Sequence, residues 1–372
     1  MVVKMQEAKK QYTVLLLSAP IGSGHKLAAE ALEQTLENYP EIKVIHGNIF
    51  DFFPHFLGSI FLAVYLWILK CCPFLYKLVY SWGNSQGGSL WLRSIINRFL
   101  AYLGNNYLEK IKPDAVIATH ATPAGIIGYY KKEHPNLWLG AVITDFTIHR
   151  WWICDGIDTY FIADDLLCSK FDETAEVFAY GIPVRSQFLN NNKKQCRESL
   201  GWQNNEKVCL LMGGGEGLLP MEKIIGALNV AKFKNMRFVA ITGHNEKMAA
   251  SLHSKYGNIM EIYGFREDVP QLMSAADIII TKAGGLTSAE ALVSELEIVI
   301  YKPLPGQEEG NAIFLQKNCG AFVANNIAEL VQYVEQKYRE NLSSEIHKKN
   351  HAHPLAAQQI TNYVLRQLKK QY

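Results

Sequence analysis

The sequence predicts an α/β protein of two Rossmann-like domains whose parallel sheets face a central cleft. Its 372 residues exceed one ordinary core and suit two. Short apolar runs alternate with helical patterns along the chain, as parallel sheets require. Each half opens on an apolar run, then a glycine turn, then a helix, at residues 12–38 and again at 207–230. The domains are placed at 1–187 and 188–352, with the polar run Asn190-Asn191-Asn192-Lys193-Lys194 near their junction. Residues 353–372 form an amphipathic segment able to fold back on the first domain.

Composition narrows the function classes. Apolar residues make up 49% and charged residues 19%, values of a globular chain. A net charge of +2 supplies no basic field for nucleic acid. The seven cysteines lack metal spacing and read as buried, reduced thiols of a cytosolic protein. Residues 1–11 are polar and carry no apolar signal core.

Residues 12–18 are a buried first strand that runs into Pro20-Ile21-Gly22-Ser23-Gly24-His25 and a helix over 26–38. The turn is not a Walker A loop, which needs Gly-Lys-Ser/Thr, and Leu27 stands where a dinucleotide fingerprint has its third glycine. Glycines here let backbone approach a ligand. His25 at the helix start reads either as a cap or as a general base titrating near neutrality. Residues 44–50 are a second strand.

Residues 52–69 then contain no Asp, Glu, Lys or Arg, and residues 74–82 carry Lys77 alone. Pro54 and Gly58 interrupt a stretch already short of the ~20 apolar residues a spanning helix needs. Two readings stand: ordinary core helices, or a monotopic face on which Phe61, Trp67 and Trp82 dip into the membrane while Arg93 and Arg98 meet head groups.

Strands at 114–119, 139–144 and 159–163 follow. Past the second of them, Asp145, His149, Arg150, Trp151 and Trp152 cluster. Asp145 can orient a base, hold a hydroxyl or cap a segment; the tryptophans can stack on sugar, meet lipid or fill a core.

In the second domain, Gly213-Gly214-Gly215-Glu216-Gly217 places four glycines in five positions, which suits close approach to phosphate. A strand over 237–243 precedes Gly243-His244-Asn245, and another ends near Gly264-Phe265-Arg266. Residues 278–280 then run into Ala283-Gly284-Gly285, Thr287 and the helix bearing Glu290. A strand over 298–301 ends in a loop holding Gln307, Glu308 and Asn311. Neighbouring parallel strands put both loops at one carboxyl edge, where open α/β sheets bind ligands.

Taken in order, Ile21-Gly22-Ser23-Gly24-His25, Thr144-Asp145-Phe146 with His149 and Trp151, Gly181-Ile182-Pro183-Val184-Arg185, the 213–217 glycines, Gly264-Phe265, Thr281-Lys282-Ala283-Gly284-Gly285 with Glu290, and Pro305-Gly306-Gln307-Glu308 resemble glycosyltransferase family 28, in its branch of bacterial and plant diacylglycerol glycosyltransferases. Each motif is short; the ordered set spans most of the chain.

The resemblance implies a GT-B fold and inverting transfer of a hexose from UDP-glucose or UDP-galactose to diacylglycerol. It implies a peripheral protein on the cytoplasmic face of the membrane, with no metal and no cofactor beyond the donor substrate. His25 matches the proposed acceptor base, Glu290 the ribose contact, and Gln307, Glu308 and Asn311 the sugar contacts. Gly213, Gly214, Gly215, Glu216, Gly264, Phe265, Arg266, Ala283, Gly284, Gly285 and Thr287 fall to the donor. Gly22, Gly24, His149 and Trp151 fall to the acceptor and membrane side, and Asp145, from its own place past a strand end, is a catalytic candidate beside His25 or a structural residue.

The 213–217 loop departs from the Gly-Gly-Ser-Gln-Gly type turn of the related cell-wall precursor enzyme and favours the glycerolipid branch. That acceptor, a UDP-N-acetylglucosamine 2-epimerase and a non-enzymatic UDP-sugar sensor are the competing readings.

Overall fold

A computed structural model describes residues 11–19, 23–52, 88–340 and 351–370. The aromatic stretch holding Phe61, Trp67 and Trp82, and also Gly22, lie outside the described residues.

The first sheet contains β1 (Tyr12–Ser18), β2 (Ile42–Asn48), β3 (Ala115–Ala118), β4 (Trp138–Val142), β5 (Thr159–Phe161) and β6 (Glu176–Phe178), all parallel, in the order β2-β1-β3-β4-β5-β6. The second contains β7 (Lys207–Met212), β8 (Met236–Ile241), β9 (Glu261–Tyr263), β10 (Ile278–Thr281), β11 (Glu297–Tyr301) and β12 (Phe322–Ala324), also all parallel, in the order β12-β11-β10-β7-β8-β9. The central strands are buried on both faces, so they read as continuous apolar runs without alternation. In each sheet the chain reverses its winding beside the first strand, between β1 and β3 and between β7 and β10. Such switch points open a crevice at the strands' carboxyl ends.

The expected strand over 44–50 is shifted: β2 ends at Asn48, and residues Ile49–Phe52 form a 3-10 turn. Asn48 and Asp51 stop the ladder, because their side-chain oxygens accept the backbone N–H groups of Phe50 and Asn48.

Helices α1 (Ser23–Leu36), α2 (Gly88–Ile111) and α3 (Ala121–Tyr130) serve the first sheet. The second carries α4 (Lys193–Leu200), α5 (Met221–Leu228), α6 (Glu246–Tyr256), α7 (Val269–Ala275), α8 (Gly285–Val293), α9 (Gln307–Asn318) and α10 (Ile327–Arg339). The last helix, α11 (Ala356–Lys370), returns to the first domain: Ile360, Tyr363, Val364 and Leu368 share a core with Val14, Leu16, Leu32 and Leu36. Burial of each such side chain contributes about 2 kcal/mol, which anchors the return.

The chain therefore crosses between domains twice, and the crossings touch. Gly181 has φ +95°, and a side chain there would strike His353. Buried Asp164 lies 2.5 Å from His351 Nδ1 and 4.0 Å from His353 Nε2. Burial pushes its pKa up, but the two histidines and the Leu166 N–H outweigh that and hold it at about 2. A folded pKa below the unfolded ~3.9 stabilises the protein above that value and is lost as pH falls toward 2. Asp164→Asn should therefore lower stability at neutral pH by roughly 2 kcal/mol. Chemical denaturation at several pH values should show the gap narrowing below pH 4.

The outer side of α2 is apolar and open to solvent: Trp91, Ile95, Phe99 and Tyr102 are all exposed, with Arg98 among them. Its inner side holds buried Asn97 and Ala101. Among the described residues, no helix is long and apolar enough to cross a membrane.

Candidate active site

The glycine turns of the two domains close on one cleft of about 420 Å³. Four loops at the switch points frame it: the start of α1 and the 119–122 turn on one side, residues 213–217 and 282–285 on the other.

His25 stands in the first turn of α1, half-buried in the wall. Its Nδ1 lies 2.7 Å from the Thr119 carbonyl oxygen and 2.8 Å from Thr144 Oγ1. A carbonyl can only accept, so Nδ1 carries the hydrogen and the lone pair of the neutral ring sits on Nε2. Desolvation lowers the His25 pKa, with the Asp145 charge and the Thr119 carbonyl working against it. The ring is thereby kept neutral at physiological pH, as a base must be.

Asp145 follows β4 and is buried. It does not orient His25 through a hydrogen bond. Its oxygens instead accept from the second domain: Oδ2 from Gln307 Nε2 and Oδ1 from Asn311 Nδ2 at 2.8 Å. Asn311 also donates to the Ala283 carbonyl at 3.0 Å and accepts the Phe146 N–H at 2.8 Å. Burial raises the Asp145 pKa, while the His25 charge and these amides draw it down. This carboxylate thus ties the domains together and acts on His25 through space. Gly285 completes the closure, since a side chain there would fall on the Thr144 carbonyl oxygen.

The other wall presents glycine turns, a helix start and paired charged side chains. Gly214 and Gly217 take φ of +73° and +57°, and a side chain at Gly217 would strike the Thr242 carbonyl. The start of α8 at Gly285 directs backbone N–H groups and positive helix dipole toward this wall. Lys282 pairs with Glu308, whose second oxygen accepts the Leu304 N–H at 2.8 Å. Glu290 is buried with 3% exposure, and Arg185 Nη2 lies 3.7 Å from its Oε1. Glu290 Oε1 has no hydrogen-bond partner. Burial raises its pKa to about 7 despite Arg185.

The cleft brings together Gly24, His25, Asp145, His149, Trp151, Gly213, Gly214, Gly215, Glu216, Gly284, Gly285, Thr287, Glu290, Gln307 and Glu308. Ala283 and Asn311 sit behind its wall, where the Asn311 amide is committed to Asp145 and not turned to a sugar. Gly264, Phe265 and Arg266 lie off the lining. Phe265 is exposed and stacks on His244 at 4.4 Å, and Arg266 pairs with Asp268.

The lining also holds Trp152, the second tryptophan of the 145–152 cluster, and His120 and Lys282, to which the sequence alone gives no role. The Thr119-His120 pair at a strand end was the available signal for His120.

Two parallel Rossmann-like sheets closing on a shared ligand cleft define a GT-B glycosyltransferase architecture. Among solved structures, MurG of Acinetobacter baumannii aligns with TM-score 0.63 at 16% identity, over 95% of this chain and 99% of that one. The UDP-GlcNAc 2-epimerase of Neisseria meningitidis, bound to UDP-GlcNAc, aligns with TM-score 0.57 at 15% identity, over 95% of this chain and 100% of that one. These likenesses concern the fold. Residues 25–184 match the monogalactosyldiacylglycerol (MGDG) synthase model, and residues 208–368 match the glycosyltransferase family 28 C-terminal domain. A processive diacylglycerol beta-glucosyltransferase of Bacillus licheniformis is 28% identical over 91% of this chain and 89% of its own. One of Bacillus cereus is 28% identical over 90% of this chain and 87% of its own. The chain thus joins a region matching the MGDG synthase family to one matching the C-terminal domain of glycosyltransferase family 28, and it is similar to the diacylglycerol glycosyltransferases over most of its length.

Proposed function

We propose that the protein transfers a hexose, glucose or galactose, from a UDP-sugar to diacylglycerol with inversion at the anomeric carbon. The observation that carries this is the polarity of the cleft: a neutral imidazole with its lone pair on Nε2 faces glycine turns, a helix start and the acid Glu290. In this reading Glu290 accepts from the ribose, the 213–215 and 284–285 turns neutralise the diphosphate, and Gln307 with Glu308 meets the hexose. His25 takes the proton as the glycerol oxygen attacks from the face opposite UDP.

The exposed Trp91, Ile95, Phe99 and Tyr102 support a peripheral protein working at a membrane surface, which we place on the cytoplasmic side. An epimerase needs no such face. The test is a donor-by-acceptor assay with dioleoylglycerol vesicles and either UDP-glucose or UDP-galactose, read by UDP release and mass spectrometry of the lipid. A hexosyl-diacylglycerol is the expected product. UDP-dependent chemistry that leaves the lipid unchanged and does not float with vesicles would sink the reading.

A further inference from the structure

Residues 119–122 fix two tautomers at once. The Thr119 carbonyl takes the Nδ1 hydrogen of His25, leaving an acceptor at Nε2. The next residue, His120, is the N-cap of α3, and its Nδ1 accepts the Thr122 N–H at 3.2 Å. A backbone N–H can only donate, so Nδ1 of His120 is bare and its hydrogen sits on Nε2. Both rings line the cleft, edge to face, with centres 4.8 Å apart. His149 is built the same way, capping a 3-10 turn through Nδ1 on the Trp151 N–H at 3.2 Å. The acceptor half therefore pairs one histidine locked as a hydrogen-bond acceptor with two locked as donors. Burial, His25 and His149 all hold the His120 pKa well below its ordinary value, so it stays in that neutral donor form.

We propose that His120 binds the attacking hydroxyl of the acceptor alcohol, donating Nε2–H to its oxygen while His25 Nε2 takes its proton. This rests on the transfer reading above. An alcohol oxygen has four directions: the bond to carbon, the hydrogen and two lone pairs. With the hydrogen on His25 and one lone pair on His120, a single lone pair is left to attack. The two rings stand side by side on the same cleft wall, so that one oxygen can lie within hydrogen-bond reach of both. In the step, that lone pair forms the bond to the anomeric carbon. The bond from that carbon to the β-phosphate oxygen breaks, and its electrons leave with UDP. The hydroxyl proton ends on His25. His120 gains and loses nothing; it aims the oxygen.

The test uses the full chain and two substitutions. His120→Ala removes both the cap and the donor. His120→Asn keeps a side chain that caps helix starts well, so it separates folding from chemistry. Transfer to dioleoylglycerol should fall about 30-fold or more in H120A, with UDP affinity by calorimetry within about twofold of the parent. H120N should recover thermal stability and only part of the transfer rate. Imidazole ¹⁵N spectra of the unliganded protein should show His120 protonated at Nε2 and His25 at Nδ1. An Nδ1–H or charged His120 at neutral pH overturns the proposal, as does full transfer activity in H120A. The transfer reading fails separately, if the parent protein makes no glycolipid while the tautomers stand as described.

Discussion

His25→Ala should reduce sugar transfer by about 10³-fold while leaving UDP binding unchanged. The size follows from the role: a positioned general base contributes roughly 10²–10⁴ in rate. The selectivity follows from place, since His25 lies on the first domain and the donor wall on the second. Steady-state kinetics with UDP release, together with calorimetry of UDP, would check both halves; equal losses in rate and UDP affinity would remove His25 from the base role. The pH profile adds a sign. A lowered His25 pKa keeps the base form present below pH 6.5, so the acid limb of kcat/KM should fall below that value. Asp145 raises the His25 pKa, so Asp145→Asn should move the limb further down. It should also loosen the domains, because Gln307 and Asn311 lose a charged acceptor.

Glu290→Gln should stabilise the unliganded protein above pH 7 and weaken UDP binding by about tenfold. The two effects share a cause. Glu290 is an acid in an almost dry site, its pKa raised by burial from 4.5 to about 7, with Arg185 only partly offsetting that at 3.7 Å. As pH rises from about 4.5 to 7, the unfolded chain releases this proton and the folded chain keeps it. Stability therefore falls across that window, by up to about 3 kcal/mol at pH 8. Gln carries no charge to bury, so the variant should gain on the parent as pH rises and meet it near pH 4.5. A ribose donating to the Glu290 carboxylate would favour the ionised acid, so UDP affinity of the parent should fall below pH 7 and that of Glu290→Gln should not. Denaturant titrations and calorimetry at pH 5, 7 and 8 would decide; a pH-independent difference in both would refute the argument. Such a trade between stability and binding is common at functional sites.

What could be read from the residues was local. The all-isoleucine run of β10, the glycine turns and the helix starts each follow from neighbours in sequence, and they located both halves of the cleft. What could not be read was who pairs with whom. Asp145 meets Gln307 and Asn311 across 162 and 166 residues, and no spacing rule reaches that far. Asn311 shares a loop and helix with Gln307, and from sequence the two carry the same expectation of a sugar contact. Asn311 is buried because the domains close on Asp145. A histidine beside a threonine has no pattern of its own; only the Thr122 N–H on Nδ1 shows what the other nitrogen of His120 offers. The three residues of the short edge strand β6, Glu176–Phe178, are too few to show periodicity.

Arg93 on the inner side of α2 donates to the backbone carbonyls of Arg150 at 3.0 Å and Ile153 at 3.1 Å, on the loop that carries Trp151 and Trp152 into the cleft. The helix with the exposed aromatic stripe and the mouth of the acceptor half are therefore one mechanical piece. If that stripe seats on a bilayer as proposed, the mouth would be held at a set height above the lipid. A lipid acceptor would then reach it by lateral diffusion in two dimensions, and the rate would follow its mole fraction in the surface and not its amount per litre.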